Sequence, residues 1–133
     1  MTRVRPVTPV RSTLLLVDDD AHVLSAYRRI LRADHDVVVA TSAEAAAALI
    51  DGGVRPDVIL CDLTMPGMGG RGLHAHLFAH QPALADRVLF LTGGVYTAEA
   101  IQFADEHRAR VLSKPMSSAE LRSRIRSHLR EIA

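Results

Sequence analysis

Five short apolar runs punctuate the chain, at residues 14–17, 37–40, 58–61, 88–91 and 111–112. Each is built mainly from Leu and β-branched residues and lacks polar alternates, the pattern of strands buried on both faces of a parallel sheet. Amphipathic stretches separate them. In the first, Val23, Leu24, Tyr27, Ile30 and Leu31 recur at helical spacing while Arg28, Arg29 and Arg32 face elsewhere. Ser42 suits the cap of a second helix, which runs through an alanine-rich segment to Leu49 and stops at Gly52-Gly53. Residues 70–80 and 97–106 predict two more. The last helix starts from a cap at Ser117 or Ser118, with Glu120 as capping-box partner if Ser117 is the cap, and with Leu121, Ile125, Leu129 and Ile132 as its inward stripe.

Five strands alternating with five helices predict a three-layer α/β domain, a doubly wound five-stranded parallel sheet. The 133 residues suit one domain, expected over 13–133, with residues 1–12 and their Pro6 and Pro9 read as a flexible arm or linker. Composition is that of an ordinary globular protein, 48% apolar and 23% charged with a net charge of +1. That balance gives no reason to expect direct nucleic-acid binding. Arg3, Arg5, Arg11, Arg122, Arg124, Arg126 and Arg130 cluster near the two ends and read as solvated side chains. Cys61 is the only cysteine and reads as a buried small hydrophobe. No apolar stretch is long enough for a bilayer and no signal-peptide core is present, so no membrane association and a cytoplasmic setting are expected.

In open parallel sheets the chemistry gathers beyond the carboxyl ends of the strands. The residues there are Asp18, Asp19 and Asp20 after the first run, Asp62 after the third, Thr92 after the fourth and Lys114 near the fifth. Crowded carboxylates repel, by roughly 1–4 kcal/mol for a pair about 4 Å apart, unless a cation neutralises them. Hard oxygen ligands suit Mg²⁺, and Asp18, Asp19 and Asp62 fit such a site, while Asp20 reads as a helix N-cap. Thr41 and Ser42, after the second run, offer nothing comparable.

The stretches Leu-Leu-Leu-Val-Asp-Asp-Asp (14–20), Asp-Leu-Thr-Met-Pro-Gly-Met-Gly-Gly (62–70), Leu-Thr-Gly-Gly (91–94) and Ser-Lys-Pro (113–115) resemble, in order and spacing, the marker motifs of response-regulator receiver domains. The resemblance covers residues 13 to about 131 and implies a flavodoxin-like receiver fold in two-component signalling. It implies Asp62 as the phosphoacceptor, and Asp18, Asp19, Asp62 and the backbone carbonyl of Thr64 as Mg²⁺ ligands. It further implies Thr92 as the switch hydroxyl, Lys114 as the lysine that pairs with the phosphoryl group, and a cis peptide between Lys114 and Pro115. The implied partner is a sensor histidine kinase or a histidine phosphotransfer protein. A homodimer through the helix at 97–106, the fifth strand and the last helix is a further expectation, with self-catalysed phosphorylation rather than turnover catalysis. The Pro-containing arm and the Leu-Thr-Gly-Gly segment resemble the receivers of hybrid sensor histidine kinases.

Two departures from the family pattern bear on the output. Val111 stands at the second switch position, where many receivers carry Tyr or Phe, so the ring that flips inward is missing; Tyr96 is a candidate substitute. Gly69 replaces a common Asp and is expected to loosen its loop. A phosphatase of the haloacid-dehalogenase type needs a second Asp where Thr64 stands, and the P-loop pattern is absent. The surviving alternative is a receiver-like interaction module that works without phosphorylation. His74, His76 and His80 share one helix, and His76 and His80 have the i, i+4 spacing of a metal pair, but a solvated face is expected.

Overall fold

The computed structural model describes residues 11–93 and 97–132. Gly94, Val95 and Tyr96, and with them the proposed role of Tyr96, lie outside the described residues. The elements run β1 (Ser12–Val17), α1 (Ala21–Leu31), β2 (His35–Ala40), α2 (Ala43–Asp51), β3 (Val58–Asp62), α3 (Gly69–His80), α4 (Pro82–Ala85), β4 (Val88–Thr92), α5 (Ala98–Glu106), β5 (Val111–Ser113) and α6 (Ser118–Ile132). The short α4, with Pro82 in its first turn, makes six α-helices among the described residues where five were expected. Four residues are too few to leave a periodic signal, and Pro at the first helical position is compatible with a helix start.

All strand pairs are parallel, in the order β2-β1-β3-β4-β5. Every residue of β3 and β4 is buried, as the unbroken apolar runs imply. At the edge, β2 keeps only His35 and Ala40 buried and leaves Val39 41% exposed, because it has one neighbour instead of two. Strand alternation divides the core. Leu15, Val17, Ile59, Cys61 and Phe90 pack on the α2 and α3 side, whereas Leu14, Leu16, Leu60, Leu89 and Leu91 pack with Leu24 and Leu31 of α1 and Leu121 and Ile125 of α6. Cys61 is fully buried, and burial pushes its thiol well above the ordinary range, which fits an inert hydrophobe.

The caps follow local chemistry. Asp20 accepts hydrogen bonds from the His22 and Val23 amides, Ser42 from Ala45 and Thr97 from Ala100. Ser117 is the cap of α6: its Oγ accepts from the Glu120 amide, and Glu120 Oε1 accepts from the Ser117 amide. Arg11 is exposed, as expected, but it is also tied to the protein. Its guanidinium donates to the carbonyls of Arg32, Ala33 and His35 and pairs with Asp36, satisfying carbonyls just past the end of α1.

Candidate functional site: an acidic rim with one lysine

The strand order reverses at β1, since β2 lies on one side of it and β3 on the other. The crevice beyond the carboxyl ends of β1 and β3 is therefore the topological switch point, and Asp18 and Asp62 stand at its two walls. Both are buried, at 3% and 7% exposure, which is uncommon for aspartate unless it is paired.

The pairing comes from Lys114, which follows β5. Its Nζ donates to Asp18 Oδ2 at 3.0 Å and to Asp62 Oδ2 at 3.4 Å. Burial disfavours the ammonium, but the hydrogen bond to Asp18 and the charges of Asp62 and Asp18 outweigh it, so the Lys114 pKa lies above its ordinary value. The remaining oxygens are oriented by nearby backbone. Asp18 Oδ1 accepts from the Asp20 amide at 2.9 Å, and Asp62 Oδ1 accepts from the Thr64 amide at 3.1 Å. Burial raises the Asp62 pKa; the Thr64 amide works against that, Asp18 adds to it and Lys114 opposes it.

Carboxylate oxygens of Asp18, Asp19 and Asp62 all lie within 4.8 Å of one another, with Asp19 exposed to solvent. Three carboxylates against one ammonium leave negative charge in the crevice. The donor set is all hard oxygen, open on one side through Asp19, and it fits Mg²⁺ better than a softer ion. Thr92, buried at the end of β4, borders the same rim, and its carbonyl accepts from the Lys114 amide at 2.8 Å. The Lys114–Pro115 peptide is cis. Thr64 lies in the exposed loop after β3. Val111 is set back from this group at the start of β5, opposite Phe90, and lines with Thr92, Ile101 and Arg108 a surface hollow of about 750 Å³ beside α5.

Further residues shape the site from outside the rim. Glu44, in the first turn of α2, accepts a hydrogen bond from the Met68 amide at 3.1 Å and so braces the loop after β3. The segment after β2 thus supports the site, although it adds no group to the rim. Gly69, at the turn into α3, has φ of +67°, a left-handed conformation that favours glycine. Gly70 lies so close to the end of β3 that an added Cβ would sit 2.8 Å from the Asp62 carbonyl oxygen. Tyr27, expected only as core, has its phenol pKa raised by burial, and it also feels the charges of Lys114, Asp18 and Asp62.

Comparison with known proteins agrees with this geometry. Residues 14–126 match the family model of the response regulator receiver domain. The DNA-binding response regulator MtrA of Mycobacterium tuberculosis is 28% identical over 123 residues, covering 91% of this chain and 52% of that protein. Protein PetR of Rhodobacter capsulatus is 30% identical over 119 residues, covering 90% of this chain and 49% of that protein. The chain thus spans about half the length of the curated relatives it matches. Among solved structures, a CheY-like response regulator receiver domain protein from Methanospirillum hungatei superposes with a TM-score of 0.80 at 25% identity, over 92% of this chain and 97% of that one. The signal receiver domain of an HD domain-containing protein from Pseudomonas fluorescens gives 0.79 at 25% identity, over 92% and 98%. With its sheet order, its acidic crevice and its bridging lysine, the chain belongs to the response regulator receiver domain family.

Proposed function

We propose that this receiver, spanning residues 13–133 and working in the cytoplasm, accepts a phosphoryl group on Asp62 from the phosphohistidine of a sensor histidine kinase or histidine phosphotransfer protein. The observation that carries this reading is the pairing of one ammonium, Lys114, with two buried carboxylates from adjacent strands. A buried ion triad of this kind is costly as mere structure. Asp62 Oδ attacks phosphorus in line, an oxygen–phosphorus bond forms, and the bond to the donor imidazole nitrogen breaks with the electron pair leaving on that nitrogen. Asp18, Asp19, Asp62 and the Thr64 carbonyl are the groups that would hold Mg²⁺, which when bound supplies positive charge beside the phosphoryl oxygens. Lys114 exchanges its contact with Asp62 for one with the incoming phosphoryl group and keeps Asp18 as its anchor. The reaction is a single self-catalysed event, reversed by hydrolysis, rather than turnover of a free substrate.

Thr92 then donates its hydroxyl to a phosphoryl oxygen, and α5 responds. That helix buries no residue of its own and is tied to the core mainly through Phe103 and Ala104, so it belongs to the least firmly held part of the structure. Val111 is too small to fill the hollow beside Thr92, and the readout rests on α5 rather than on a flipping ring. The face of α5, β5 and α6 is the candidate surface for output or homodimerisation.

Asp62→Asn is expected to abolish labelling by a small phosphodonor in the presence of Mg²⁺. Hydroxylamine-labile incorporation equal to that of the parent would exclude Asp62 as acceptor.

A further inference from the structure

At the amino ends of the strands, opposite the acidic rim, α2 and α3 pack against each other and bring Asp51 to His76. His76 and His80 are four residues apart on α3, with ring centroids 4.7 Å apart. Spacing alone places two imidazoles on one helix face; the tertiary fold adds a carboxylate from a second helix. Asp51 Oδ1 lies 3.2 Å from His76 Nε2. Two ligands on one zinc-sized ion, with bonds of about 2.0–2.1 Å, sit roughly 3–3.4 Å apart, so this separation suits a shared ion as well as a hydrogen bond.

The surroundings favour a cation there. Among the described residues the only ion pair of Asp51 is with His76. Arg55, the neighbouring cation, donates to the carbonyls of Ile50 and Val54 instead. Asp51 is the last residue of α2, and His76 and His80 lie in the last five residues of α3. The His76 side chain is 23% exposed and contacts Asp51, whereas His80 is exposed to solvent.

We propose that Asp51, His76 and His80 form a site for a transition-metal dication of the Zn²⁺ class, fastening the end of α2 to the end of α3. His76 and Asp51 are preset for it, and His80 supplies the second nitrogen by rotating its exposed side chain; water fills the remaining positions. Imidazole ligands select Zn²⁺ over Mg²⁺, so the site is chemically separate from the all-oxygen rim.

The test is calorimetric titration of the full chain with Zn²⁺ in excess Mg²⁺, which keeps the rim filled, with histidine imidazole resonances followed by NMR. Expected are a single saturable Zn²⁺, shifts on the His76 and His80 rings, and a rise in thermal midpoint. His76→Gln and His80→Gln should each lose the site, and Asp51→Asn should weaken it. Absence of saturable binding would overturn the proposal, as would shifts confined to other histidines. His80→Gln alters only an exposed side chain, so unchanged Zn²⁺ affinity in that folded variant would overturn it as well.

Discussion

Asp62 is held by a balance that single substitutions can tip. Its Oδ1 is oriented by the Thr64 amide and its Oδ2 by Lys114, while burial works against its charge. The same strand end is crowded from below by Gly70, where a Cβ would also lie 3.0 Å from the Leu63 Cα. Both contacts are to backbone, which cannot rotate away. Gly70→Ala is therefore expected to destabilise the fold by roughly 1–3 kcal/mol, measured by urea unfolding, and to slow phosphorylation by displacing the acceptor. Thr92 sits at the next strand end, and its proposed role follows acceptance rather than preceding it. Thr92→Ala should still incorporate phosphate but show little of the parent's NMR shift changes across α5. Equal shift changes in both proteins would remove Thr92 from the relay.

Elements of this chain differ in how firmly they are held. The helix α6 combines a reciprocal capping box at Ser117 and Glu120 with an apolar stripe that buries Leu121 and Ile125. Loss of the capping hydroxyl in Ser117→Ala is expected to cost about 0.5–2 kcal/mol of stability, read from the urea midpoint at unchanged slope. By contrast, α5 rests on an edge-to-face contact between Phe103 and Phe90, with ring centroids 5.0 Å apart, and on the His107 ring 4.2 Å from Phe103. Most elements could be read from the chain because apolar runs and caps are local signals. The short α4 could not, and neither could the clamp that Arg11 places on the turn after α1. Both depend on where neighbouring segments arrive in space.

Across the whole molecule, His35, His74, His107 and His128 have pKa values lowered from 6.5, burial being the main cause in each case. The unfolded chain therefore binds protons at a higher pH than the folded chain does. The stability contributed by these neutral rings is present above about pH 6.5 and is lost as pH falls through their folded values. His128 is the clearest case: it is buried, its Nε2 has no hydrogen-bond partner, and Arg110 adds to the lowering while Glu131 and the Asp86 and Arg87 backbone oppose it. The unfolding free energy is expected to decline between pH 7 and pH 5.5, with a smaller decline in His128→Phe. Identical slopes for the two proteins would rule out His128 as a contributor.

Asp18, Asp19, Asp62, Thr92 and Lys114 were legible from the chain because each directly follows or nearly follows an apolar run, and parallel strands deliver such positions to one edge. The lack of polar alternates in those runs likewise specified the parallel sheet and its two-sided core, since burial on both faces demands unbroken apolar runs. Only the tertiary structure brought Lys114 to within 3.4 Å of both Asp18 and Asp62, set Glu44 against the loop after β3, and pressed Gly70 onto the Asp62 carbonyl. It also set Asp51, from another helix, against one member of a histidine pair. The reason is common to all four. Local periodicity records which way a side chain faces, but contacts between residues 8 to 96 positions apart, on different elements, are set by how whole elements pack.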